Sequence, residues 1–147
     1  MVDTVSMQEG RPPWKPTLDS AVIAEYRYYD IPLIGVIEQG DRRYLFWCLD
    51  GADEPLSLWF YAYITEGQIK RLEAAHEDFD EVFRAMDFEG WGRLALATPN
   101  VGIVDYEDFD MDDHPESVRV AIRKLKERVH QLSALADEFE PPMALAR

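Results

Sequence analysis

What most constrains this chain is a series of strand-forming segments separated by very short breaks, running from Ser20 to Ile64. Its centre reads "YYDIPLIGVIEQGDRRYLFWCLD", residues 28–50, with two apolar runs on either side of a polar turn. Runs rich in β-branched and aromatic residues read as strands, and a break of only a few residues folds each strand back on its neighbour. Strands are expected from Ser20 to Tyr28, from Leu33 to Glu38 after a turn at Asp30-Ile31-Pro32, from Arg42 to Leu49, and from Leu56 to Ile64. Gly40 is placed to take positive φ in the central hairpin turn, which a glycine does without steric cost.

After Ile64 the period changes. Thr65-x-x-Gln68 has the spacing of a capping box, followed by Ile69, Leu72, Ala75 and His76 on one helical face. Phe79, Val82, Phe83 and Met86 mark a second short helix, and Phe88 to Gly92 is a break. Short strands are expected from Arg93 to Ala97 and from Val101 to Val104, around Thr98-Pro99-Asn100. A long helix follows, with Pro115 at its first position and Asp112 or Asp113 as cap, ending near Phe139 before Pro141-Pro142. The expected fold is α+β: an antiparallel meander sheet of about four to six strands, packed against two short helices and one long C-terminal helix. Residues 1–16, with four Gly and Pro residues and Trp14 as the one anchor, read as an irregular arm expected to be dispensable for folding. Residues 17–147 form a single domain in this reading, without internal repeats.

Charge bounds the function. Twenty-nine acidic residues against fifteen basic ones give −14, which opposes direct binding to nucleic acid or an anionic membrane. No apolar run approaches the length of a bilayer span, the N-terminus carries Asp3 and Glu9 where a leader would be basic and apolar, and Cys48 is the one cysteine. A cytoplasmic location is expected from these features.

Side-chain parity sorts the aromatic residues, ten of which lie between Tyr26 and Tyr63. Successive strand side chains point to opposite faces. Tyr44, Phe46 and Cys48 therefore oppose Leu45, Trp47 and Leu49, while Trp59, Tyr61 and Tyr63 oppose Leu58, Phe60, Ala62 and Ile64. The aliphatic face is expected beneath the helices. The face with Trp59, Tyr61 and Tyr63 is covered by the arm or the long helix, or else is a ligand surface, for which Trp47, Trp59, Tyr61 and Tyr63 are the candidates.

Motifs of known chemistry are lacking. His76, His114 and His130 do not share zinc-ligand spacing, and no nucleophile elbow or phosphate loop occurs. Cys48, inside a strand, reads as a small buried hydrophobe. No catalytic residue, metal or cofactor is assigned. The run "DYEDFDMDDHPE", residues 105–116, holds seven acids and neither Lys nor Arg. Asp108, Asp110 and Asp112 have the alternation of a calcium loop, but its required glycine and glutamate are Asp113 and Arg119 here. Two readings lead, a solvated loop ahead of a helix, or an acidic array of Asp105, Glu107, Asp108, Asp110, Asp112 and Asp113, anchored by Tyr106 and Phe109, that meets a basic partner; weak divalent-cation binding is a third. In either of the first two cases, neutralising Asp108, Asp110 and Asp112 is expected to spare the fold. Val118, Ile122, Leu125, Val129, Leu132 and Ala136 form a heptad seam on the long helix, flanked by five basic residues. It packs on its own sheet or pairs two copies in a homodimer.

The hairpin with its Tyr-Asp-x-Pro-Leu start (Tyr29, Asp30, Pro32, Leu33) and the helix capped at Thr65 resembles small uncharacterised bacterial or phage domains over roughly the first half of the chain. That resemblance implies an α+β domain and brings no catalytic residues. The expected function is a non-enzymatic acidic binding protein for a basic partner, such as an immunity protein, an antitoxin or a nucleic-acid-mimicking inhibitor. The alternative is a small-molecule-binding or enzymatic domain using the aromatic sheet face.

Overall fold

The computed structural model describes residues 7–29, 31–51, 55–99, 101–113 and 115–139, with side chains up to residue 128, that of Tyr29 excepted. Six strands lie in one sheet in chain order, each antiparallel to the next: β1 (Ala21–Tyr29), β2 (Ile31–Gln39), β3 (Arg42–Asp50), β4 (Ser57–Tyr63), β5 (Trp91–Thr98) and β6 (Gly102–Asp110). Helices α1 (Glu66–Ala74) and α2 (Phe79–Arg84) connect β4 to β5, and α3 (Glu116–Phe139) follows β6. The meander is the one the turn spacing demands. Gln39 pairs with Arg42 across a two-residue loop in which Gly40 has φ 62°, the conformation that a type II′ turn requires at its first position.

The capping box forms as expected: Thr65 Oγ1 accepts from the Gln68 amide at 3.2 Å, and the Thr65 amide donates to Gln68 Oε1 at 2.9 Å. Ile69 and Leu72 then face the sheet. His76, expected on that apolar stripe, is exposed at φ 45° in a 3₁₀ turn between α1 and α2. Pro115 lies one residue before α3, and Asp112 and Asp113 form part of a separate 3₁₀ turn instead of a cap. His114, His130 and the second half of the apolar seam lie outside the described side chains, whereas Leu125 is buried on its own sheet.

Parity sorts the core into two layers. On one face Val36, Leu45, Phe60, Ala62, Leu94 and Leu96 pack beneath α1, α2 and α3. On the other, Ile37, Tyr44, Phe46, Trp59, Tyr61, Ala95 and Ala97 form a second cluster. The second layer is covered by the arm. Gln8 donates from its amide to Pro16 O at 2.8 Å, and residues 10–11 pair with the start of β6 (Gly10 N–H to Ile103 O and Ile103 N–H to Arg11 O, both 2.9 Å). Gly102 permits that approach: a Cβ there would stand 2.5 Å from Arg11 O. Trp14 packs on Trp59, centroids 6.0 Å apart, and Pro13, Pro16, Thr17 and Ser20 are buried. The arm is irregular in backbone but is a packed element, so the expectation that it is dispensable does not match its contacts.

Candidate functional site

The acidic run is a strand, not a loop. Residues 105–110 continue β6 along the sheet edge, and their side chains alternate between the two faces. Asp105, Glu107 and Phe109, opposite Leu96, Leu94 and Gly92, face the helices. Tyr106, Asp108 and Asp110 face the other way. Strand formation in so acidic a segment follows from what neutralises it. On the helix side, Arg128 reaches Asp105 at 3.2 Å and also pairs with Glu107, which Lys124 meets at 3.5 Å. On the arm side, Arg93 from the neighbouring strand forms a two-pronged bond with Asp108, its Nη2 at 3.0 Å from Oδ2, while the Tyr106 ring lies 4.2 Å beneath the guanidinium. Arg93 is 5% exposed, so this pairing, unlike a surface one, answers a desolvated charge.

The proposed partner array therefore divides. Asp105, Glu107 and Asp108 are held by bases of the same chain, and Phe109 is part of the core, 6.2 Å from the Phe60 ring. Asp110, Asp112 and Asp113 remain exposed, and the Asp110 carboxylate accepts from the Asp112 amide at 2.9 Å. Asp112 shares an open cleft of about 600 Å³ with Asp87, Glu89, Gly90, Tyr63, Thr65 and Gln68. Three segments distant in sequence meet there: the β4–α1 junction, the loop before β5 and the turn after β6. Met111 N–H to Gly90 O at 2.6 Å fixes the last two together. Asp87 and Glu89 carry no sequence motif. Only the sheet register that brings β5 and β6 side by side assembles them with Asp112.

The four aromatic candidates do not share a surface. Trp47 lies on the helix side, 4.8 Å from Phe83, where it lines a cavity between the sheet, α2 and α3. Trp59 and Tyr61, at 1% and 0% exposure, are under the arm, and the Tyr61 hydroxyl donates to Pro13 O at 2.9 Å. Tyr63, partly buried at the end of β4, reaches the acidic cleft. Burial pushes the Tyr61 phenol far above its ordinary range and Tyr26, where Glu73 adds to the effect, up to about 12. The Cys48 thiol, half-buried on the arm side, is pushed up to about 11 by the same desolvation. It is therefore protonated near neutrality, which disfavours nucleophilic chemistry.

Comparison of the chain with protein-family models, with curated proteins and with solved structures finds no match.

Proposed function

We propose that this chain is a non-enzymatic acidic binding protein that engages a basic protein surface, in the manner of an immunity protein, an antitoxin or an inhibitor that mimics nucleic acid. The observation that carries the reading is the convergence of Asp87, Glu89 and Asp112 in one open cleft that no basic residue lines among the described residues. A lysine or arginine side chain entering it meets three carboxylates and the polar ends of Tyr63, Thr65 and Gln68. The exposed Asp110 and Asp113 extend the same negative edge. Net charge supports the reading at longer range, because a molecule at −14 draws a cationic surface toward it and speeds the encounter. Acids already paired within the chain contribute less, since a partner would have to displace Arg93, Lys124 or Arg128 to reach them.

The test is affinity capture from the native host at low and at high salt, with the wild type beside a triple variant, Asp87→Asn, Glu89→Gln and Asp112→Asn. A partner retained by the wild type at low salt, released as salt screens the contact, and lost by the triple variant fits the proposal. Equal capture by both proteins, or capture indifferent to salt, removes it.

A further inference from the structure

The helix-covered side of the sheet is not filled. Between β3–β6, α2 and the start of α3 lies a cavity of about 310 Å³ walled by Trp47, Phe60, Phe83, Phe88, Phe109 and neighbouring aliphatic and methionine side chains. The rings stand edge to face, Trp47 against Phe83 at 83° and Phe83 against Phe88 at 63°. An apolar cavity of about 150 Å³ can hold benzene, and small-molecule sites begin near about 300 Å³. The space is thus of the size for a ligand of about two fused rings.

Two observations give the chemistry of the occupant. No acid among the described residues lines the cavity, and the one charged liner among them is a cation, Arg84, at the exposed end of α2. Arg84 also has no hydrogen-bonding or ion-pair partner among the described residues, whereas Arg27, Arg93 and Arg128 are each held by carboxylates. An arginine left unpaired in so acidic a chain, at the mouth of an apolar cavity, has its fork available for a planar anion. Val118, in the first turn of the 24-residue α3, brings the amide-rich end of that helix to the same rim. The −14 of the whole chain opposes anions at a distance. Salt screens that field within about 8 Å at physiological ionic strength, and at the mouth itself Arg84 is the charged side chain among the described liners. We infer that this cavity binds an apolar carboxylate of about bicyclic size, its rings among the aromatic side chains and its carboxylate on Arg84.

The experiment is calorimetric titration of the full chain with 2-naphthoate and with its uncharged counterpart 2-naphthylmethanol, repeated on Arg84→Gln and Val118→Trp. The carboxylate is expected to bind the wild type with one-to-one stoichiometry, about fivefold or more tightly than the alcohol. Arg84→Gln should bring the two within about twofold without moving the thermal midpoint, because the side chain it replaces is exposed. Val118→Trp, which narrows the mouth, should weaken both; if that protein does not fold, Arg84→Gln decides alone. The absence of saturable heat from naphthoate, equal affinity for the alcohol in the wild type, or a preference that survives Arg84→Gln would overturn the inference.

Discussion

Tyr61 shows how a single polar atom ties the two layers of this molecule together. Its ring is wholly buried in the sheet, and its hydroxyl is satisfied by a carbonyl of the arm forty-eight residues earlier. Tyr61→Phe should cost on the order of 1 kcal/mol in chemical denaturation, since Pro13 O is left without its donor. The wild type should also lose stability at alkaline pH. Tyr61 and Tyr26 are both raised above the ordinary 10 and Cys48 above 9. The unfolded chain therefore releases these protons first, so stability is full below about pH 9 and declines as pH rises through 10 to 12. Tyr61→Phe should show a shallower decline, measured as thermal midpoint against pH; an equal slope would mean that Tyr61 does not contribute to it. Gly40 has open space around it but φ 62°, so Gly40→Val should cost about 1 kcal/mol or more through backbone strain alone. An unchanged urea midpoint would contradict that. Asp108 is the sharpest departure from the sequence-based expectation. Asp108→Asn leaves the buried Arg93 without its carboxylate and should cost about 1–3 kcal/mol, the half-exposed position of Asp108 moderating the loss. Asp110→Asn should be nearly neutral by the same denaturation assay, and equal effects at both positions would refute the distinction.

At the scale of elements, strands β1 to β4 and the start of α1 were legible because each is announced by local chemistry: a glycine where φ must be positive, a threonine and a glutamine at capping distance, apolar residues with period two. Strand β6 was legible only at its start, where Val101 to Val104 reads as a strand, although the rest obeys the same alternation. Acids at 105, 107, 108 and 110 disguise the period, and the bases that offset them come from β5 and α3, fifteen or more residues away in sequence. The packing of the arm was hard to read for a related reason. Prolines and glycine have no periodicity to read, yet fixed φ angles let Pro12, Pro13 and Pro16 hold a cover of successive turns over Trp59 at little further entropic cost. Removing residues 1–16 should therefore lower the thermal midpoint by roughly 10 °C or more, as uncovering large aromatic rings costs several kcal/mol in a domain of this size. A shift of only a few degrees would restore the arm to the status of an accessory. The candidate cleft was half legible: Asp112 stood out in the acidic run, while Asp87 and Glu89 join it only through sheet register.

Across the whole molecule, neighbouring strands are also neighbours in the chain, and four of the five strand pairings can form from local hairpins, α1 and α2 separating β4 from β5. The pairing of residues 10–11 with Ile103 reaches much further, spanning more than ninety residues. Loop closure over that distance yields no stabilisation until the meander exists, so arm docking belongs after the folding barrier. A protein lacking residues 1–16 should then unfold much faster while folding at nearly the wild-type rate, as the two arms of a chevron plot would reveal. A strong slowing of folding would instead put the arm in the nucleus. The same pairing sets an order during synthesis. The arm leaves the ribosome before the sheet, yet its binding edge at Gly102 and Ile103 emerges only after β1 to β5. Until then residues 10–11 have no edge to pair with, and the rings of Trp59 and Tyr61 lack the docked arm over them on the nascent sheet, open to chaperones or to a neighbouring chain.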